Sequence, residues 1–314
     1  MAAWEEIVVS NGLRRLGLRQ PTIIQRWAGD SGRRNSILAQ LLSNISYEVM
    51  PLKRTADEVL AHVPTSIPLT VTVTAARGLD ATLELAERLH HNGYRVAPHL
   101  AARQFVDEGQ VAEVVARLAS SGVRSVFVIG GDAAQAGPFP DAYSLLQALQ
   151  AVGHPFEEVG IGGYPEGHAF IPQHATDLAL KQKAPLATRI MTQICFDAQT
   201  TTAWAARVAA FGVGLPIHVG MPGPVNRQKL IRISAGIGLG QSARFLQKQQ
   251  GMLWRFLLPG GYSPTGLARK LATAAVTTST NIRGLHIFTF NEIAGTERWR
   301  RTLLASVEQA REQE

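Results

Sequence analysis

Between Ile45 and Asn291 the sequence switches repeatedly between short β-rich runs and longer amphipathic runs. That alternation constrains the fold more than any other feature. The strand candidates are Ile45–Val49, Leu69–Thr74, Tyr94–Ala97, Ser125–Ile129, Glu157–Ile161, Arg189–Ile194, Pro216–Val219 and Gly284–Thr289. Helical periodicity fills Ala81–Asn92, Glu108–Ser120, Ala142–Ala151, Ala203–Phe211 and Pro264–Thr278. Asn92-Gly93, Ser121-Gly122, Val152-Gly153 and Gly260-Gly261 punctuate these runs as turns. Eight strands, each followed by a helix or a helix-sized insert, predict a (β/α)8 TIM barrel. A doubly wound open sheet would place G-x-G-x-x-G after its first strand, and Glu48-Val-Met-Pro-Leu is no such turn. Gly160-Ile-Gly162-Gly163 also misses that spacing and reads as close packing on a barrel strand. The expected organisation is a helical arm over 1–44, with Ser31–Leu42 as its helix, followed by a catalytic barrel over 45–314. The arm either caps the barrel bottom or mediates self-association into a homo-oligomer.

Composition narrows the setting. Of 314 residues, 46% are hydrophobic and 18% charged, which excludes a disordered chain. A single cysteine excludes an intrachain disulfide framework or a cysteine metal cluster and points to a reducing, cytoplasmic location. No apolar run reaches the roughly 18 residues of a membrane span, and the start, with Glu5 and Glu6, lacks a signal-peptide core. The net charge of +7 comes from dispersed arginines rather than a basic tract. Without a nucleic-acid-binding motif, that pattern favours small anionic molecules over nucleic acid as partners, the alternative being solvated arginines with no partner.

In a barrel, polar residues at the C-terminal strand ends are the catalytic candidates. Strand by strand these are Glu48, Thr74, His99, Asp132, Tyr164 with Glu166, Gln193, His218 and Asn291. Glu48 interrupts an apolar strand, where low polarity favours the protonated carboxyl and suits it to general acid catalysis. The alternative is an ion pair with Lys53 or an arginine. Asp132 follows Gly130-Gly131, which admits a ligand close to the backbone. Its carboxylate either accepts two hydrogen bonds from an amidine-like edge, such as the aminopyrimidine of a pterin, or caps the next helix. Gln193 offers a donor and an acceptor together. Cys195 reads as a small buried hydrophobe, and His90-His91 as a solvated helix end. No hydrolase elbow, P-loop or H-E-x-x-H zinc motif is present in the sequence.

Taken in order, Ser46-Tyr-Glu-Val-Met-Pro, Val73-Thr74, Ala97-Pro-His-Leu100, Gly130-Gly-Asp132, Tyr164-Pro-Glu-Gly-His168, Thr192-Gln-Ile-Cys-Phe-Asp197 and Leu285-His-Ile-Phe-Thr-Phe-Asn291 resemble the methylenetetrahydrofolate reductase family. The resemblance implies a barrel that reduces 5,10-methylenetetrahydrofolate to 5-methyltetrahydrofolate. It makes Glu48 the general acid that opens the imidazolidine ring. Asp132 and Gln193 would hold the pterin, Asp132 also steadying the cationic intermediate, and Tyr164 would line the same cavity. It further implies that Thr74, His99, Gly130, Gly131, Tyr164, His168 and Lys181 surround the cofactor. The departures are specific. The family's Arg-Gly-Asp loop reads Gly130-Gly131-Asp132, its Leu-Lys-Arg-Lys helix reads Leu180-Lys-Gln-Lys183, and Asn226 or Arg227 stands where a stacking phenylalanine belongs. The Ala-Gly-Ala turn after that helix has become Pro185-Leu-Ala-Thr188. These departures resemble the flavin-independent mycobacterial branch, with NADH giving hydride directly and FAD absent. The alternatives are an FAD-containing reductase, a tetrahydrofolate-dependent methyltransferase or O-demethylase, and a non-enzymatic binding protein on an inactive barrel.

Overall fold

The computed structural model describes residues 23–74, 77–133, 137–168, 170–225, 262–277 and 280–313. Asn226, Arg227 and the Gly260-Gly261 turn lie outside the described residues. The elements run in the order α1 (Ile23–Ser43), β1 (Ile45–Val49), α2 (Thr55–His62), β2 (Leu69–Val71), α3 (Gly78–His91), β3 (Val96–Ala101), α4 (Glu108–Ser120), β4 (Ser125–Ile129) and α5 (Ala142–Val152). They continue through β5 (Glu158–Gly163), α6 (Gln173–Lys183), β6 (Arg189–Thr192), α7 (Ala198–Ala210), β7 (Ile217–Pro222), α8 (Pro264–Thr277), β8 (Ile282–Phe288) and α9 (Ile293–Glu312). All eight strands are parallel, and β8 pairs back onto β1 to close the barrel. The chain therefore adopts the (β/α)8 TIM barrel.

Local chemistry sets the helix starts. Asp107, Asp141 and Asp197 cap α4, α5 and α7 by accepting from Gln110, Ser144 and Thr200 backbone N–H groups. Each cap satisfies a donor that the first helical turn cannot. Alternation then sorts the strands. Ile45, Tyr47 and Val49 of β1 are buried in the hydrophobic core, while Ser46 and Glu48 face the barrel axis with His286 of β8. Helix α1 packs on α8, α9 and β8, burying Leu38, Leu41 and Leu42. It extends further in both directions than the Ser31–Leu42 helix expected from periodicity.

Several strand limits differ from the expected ones, each for a visible reason. Strand β2 stops at Val71 because Thr74 turns into α3, its carbonyl accepting from the Arg77 and Gly78 N–H groups. Strand β3 runs on to Ala101, although Pro98 and His99 break the apolar run; all six of its residues are buried. Strand β7 continues to Pro222, where Gly220 crosses so close to the Thr192 and Gln193 carbonyls that a Cβ would collide with them. His218 thus lies near the start of β7 and not at its C-terminal end. Helices α2, α6 and α9 are not among the periodic runs singled out above.

Candidate active site

Glu48 occupies the penultimate position of β1 with a side chain 15% exposed. Its backbone carbonyl accepts from the Thr289 Oγ–H at 2.6 Å, tying β1 to the chain leaving β8. Asn291 strengthens that tie through three hydrogen bonds to Met50 and Thr55. It does so from a left-handed backbone (φ 58°) that asparagine tolerates better than most residues. Asn291 therefore braces the mouth instead of presenting its amide to a ligand.

Two histidines flank the Glu48 carboxyl. His99 Nε2 is 3.6 Å and His286 Nε2 is 3.7 Å from the same oxygen, Oε2. His286 is fixed from behind by a 2.8 Å hydrogen bond between Nδ1 and Ser46 Oγ. His99 packs edge-on to Phe127, its ring centroid 4.7 Å away. His99 thus sits inside the barrel against the acid. The alternative of a Glu48–Lys53 ion pair is not seen: Lys53 is exposed, and among the described residues the ion-pair partners of Glu48 are the two imidazoles.

Burial pushes the His99 imidazole down to about 4; Glu48 opposes that shift and His286 adds to it. Burial also pushes His218 down to about 4, assisted by Arg189 and His286 and opposed by Glu158. Both rings are neutral at physiological pH, so folding excludes protons that the unfolded chain takes up below the usual 6.5. Stability is therefore complete above pH 6.5 and falls as the pH drops toward 4, each histidine costing on the order of 3 kcal/mol at most. Urea unfolding should show a flat midpoint from pH 7 to 8 and a steep decline between pH 6.5 and 4.5. A midpoint unchanged down to pH 5 would contradict the burial of these two rings.

Asp132 is exposed after β4, with the Gly131 backbone at φ 80° and a would-be Cβ 3.0 Å from Ala101. The loop is held by Arg103, whose backbone N–H donates to the Gly130 carbonyl and whose Nε donates to Ala133. Asp132 is not a helix cap, since Asp141 caps α5. The ring of Tyr164 folds back over β5, its hydroxyl 3.7 Å from where a Gly162 Cβ would lie, and packs edge-on to His168. His168 Nδ1 accepts from the Phe170 and Ile171 N–H groups, which shapes the loop after β5. Gln193 folds its Oε1 onto the Ile194 N–H. Glu166, named above as part of the polar cup, is instead a clamp: its Oε1 accepts from Phe196 and Asp197 at 2.6 and 2.8 Å.

The lysines separate by face. Lys181 is exposed, its Nζ 4.4 Å from the centroid of Phe211 at the C-terminal end of α7. Helices run antiparallel to the strands they follow, so that contact lies away from the strand C-termini. The structure therefore does not bring Lys181 together with Glu48, Tyr164 and Asp132. Lys183 is buried, its Nζ donating to the Gly162 carbonyl at 3.4 Å, and burial pushes it down to about 8 against the pull of Asp141. That lowered affinity for its proton comes from burial and is invisible in Leu180-Lys-Gln-Lys183. Burial pushes the Cys195 thiol up to about 12, which keeps it protonated near neutral pH.

Sequence reasoning missed His286 and Ser46 as parts of the site, although both lie in motifs quoted above. Their signal was alternation: Ser46 is two residues before Glu48 and so shares its face. Among the described residues, no three His, Cys, Asp or Glu side chains are placed to hold a metal ion. None of their helices is long and apolar enough to cross a membrane.

Comparison with known proteins was made in three ways. A family model described as methylenetetrahydrofolate reductase matches residues 35–238. The chain is 29% identical over 214 residues to a 5,10-methylenetetrahydrofolate reductase of Pectobacterium carotovorum subsp. carotovorum, covering 63% of this chain and 70% of that one. Among solved structures, a Clostridium thermocellum protein described as binding two copies of 5-methyl-5,6,7,8-tetrahydrofolic acid superposes with a TM-score of 0.59. That match covers 88% of this chain and 99% of the other at 12% identity, and so speaks for the fold alone. The matched segment carries Glu48, Asp132, Tyr164 and Gln193, the strand-end residues built up above, and on that match the chain belongs to the methylenetetrahydrofolate reductase family.

Proposed function

We propose that this barrel reduces 5,10-methylenetetrahydrofolate to 5-methyltetrahydrofolate with hydride taken directly from NADH. Glu48 is the general acid. The observation that carries the reading is its position: a largely buried carboxyl at the barrel mouth, pinned through its backbone and facing, among the described residues, two histidines and no lysine or arginine that would lock it as a structural anion. Its proton goes to the bridging nitrogen of the imidazolidine ring, whose C–N bond opens to an iminium at the methylene carbon. Hydride from the dihydronicotinamide then adds to that carbon, leaving the methyl product and the oxidised nucleotide. Asp132 faces outward beside the Gly130-Gly131 approach, where it would hold the pterin edge and offset the cation. Gln193 and Tyr164 would complete the pterin cavity, and Thr74, Gly130, Gly131 and His168 line the mouth where the nucleotide would enter.

The family's Arg-Gly-Asp loop reads Gly130-Gly131-Asp132 in this chain, and the missing arginine supports a reading without a resident flavin.

The test is a single assay on purified protein. Oxidation of NADH that depends on methylenetetrahydrofolate, with no visible flavin absorbance, is the expected result. A flavin spectrum would overturn the direct-transfer reading and favour the FAD-containing reductase. Methyl transfer from a tetrahydrofolate reaction without nucleotide oxidation would replace the reductase by a demethylase.

A further inference from the structure

Inside the barrel, three ring nitrogens have no hydrogen-bond partner among the described residues: both of His99 and Nε2 of His286. Leaving such groups unmet in a core is unfavourable, and aliphatic side chains would fill the same space without that cost. Both Nε2 atoms are aimed at one atom, Glu48 Oε2, from strands on opposite sides of β1 in the closed sheet. The separations of 3.6 and 3.7 Å are just beyond hydrogen-bond range, as is common for catalytic contacts that tighten only once the reacting group is charged.

We propose that His99 and His286 are positioning residues for the acid: their two N–H groups receive the carboxylate that Glu48 becomes on giving up its proton, and Ser46 selects the His286 tautomer able to do so. A hydroxyl donating to Nδ1 leaves the imidazole proton on Nε2, directed at Glu48. The proton leaves Glu48 for the substrate nitrogen, the negative charge on Oε2 is met by two neutral donors, and solvent returns one proton to Glu48 after product departs. Neither imidazole changes charge. The surroundings support neutral donors. Thr70 lies beside Glu48 on β2, and toward the barrel floor stand His218 and the ion pair of Arg189 with Glu158. Tyr164 lies against Gly162 of β5 and His168, and Asp132 is exposed on its loop. The burial that keeps His99 neutral is part of this arrangement.

The inference rests on the proposed role of Glu48 as acid, and its test separates the two. The infrared carbonyl stretch of the protonated Glu48 carboxyl, isolated as wild type minus Glu48→Gln, is followed against pH in ligand-free protein. In His286→Leu and in His99→Leu the pH of half-loss of that signal should move upward by about one unit, since a donor to the ionised form is gone. The alkaline limb of the kcat profile should move with it, and His286→Gln, which keeps an amide N–H, should restore part of the shift. Unchanged titrations in both leucine variants, with native circular dichroism, would overturn the inference. If the leucine variants do not fold, Ser46→Ala decides: it keeps the imidazole, removes the tautomer lock, and should give a smaller shift in the same direction. A carboxyl shift in protein that never turns over methylenetetrahydrofolate would sink the reductase reading and leave the positioning role intact.

Discussion

Glu48→Gln should lower the turnover of methylenetetrahydrofolate by about 10²–10⁴-fold, the range for loss of a positioned general acid. Glutamine matches the side chain in size and keeps its place between His99 and His286, so the site stays formed. What it lacks is a proton to give. The substrate ring then opens only through its own basicity or through water, and hydride has no iminium to reach. Folate binding should persist, because the residues proposed to hold the pterin, Asp132 and Gln193, lie on other strands' loops and are untouched. The measurement pairs kcat from product formation with a folate dissociation constant from equilibrium dialysis. Turnover within threefold of wild type would remove Glu48 from the chemistry. A large loss of binding with unaltered kcat would make it a binding residue instead.

The largest stability effect is expected one residue earlier in the chain. Tyr47 points away from the barrel axis, and its hydroxyl donates to Glu297 Oε2 of α9 at 2.7 Å. Arg300 donates to both oxygens of the same carboxylate at 2.9 and 2.7 Å. The Glu297 and Arg300 side chains are 5% and 12% exposed, so little solvent screens the pair. Burial, with the Glu297 carboxylate adding to it, holds the Tyr47 phenol well above its ordinary range, and the hydrogen bond from Glu297 in turn raises Arg300. Glu297→Ala strands a buried guanidinium and a buried hydroxyl at once. It should cost about 3–5 kcal/mol, the usual result of removing one partner from a buried pair. Urea unfolding measures it directly. A loss below 1 kcal/mol would mean that Arg300 and Tyr47 re-solvate freely, which their burial argues against. The double variant Glu297→Leu with Arg300→Leu should recover much of the loss, because no uncompensated charge remains.

Where the candidate site residues fall in the barrel was largely legible from residue order. Glu48, Asp132, Tyr164 and Gln193 fall at or just beyond the ends of their strands, as the alternation of elements required. Glu166 was legible as a carboxylate but not as a clamp, since its partners are two backbone N–H groups about thirty residues further on. That Lys183 is buried while Lys181 is exposed has a helical cause. Residues two apart on a helix point in different directions, and only the packed rotation of α6 decides which one turns inward. His218 was misplaced because β7 runs three residues beyond its apparent end, drawn on by pairing with β8.

The sequence by itself determined the barrel, because period-2 and period-3.6 hydrophobic patterns are local properties that any short window reveals. It also determined which strands carry a carboxyl, an amide or a phenol. Only the tertiary structure decided what surrounds Glu48. Ser46 and His286 are 240 residues apart, and they meet because β8 closes onto β1 in register. That closure depends on the strand stagger summed around the whole barrel, a non-local quantity that no single stretch of this chain encodes.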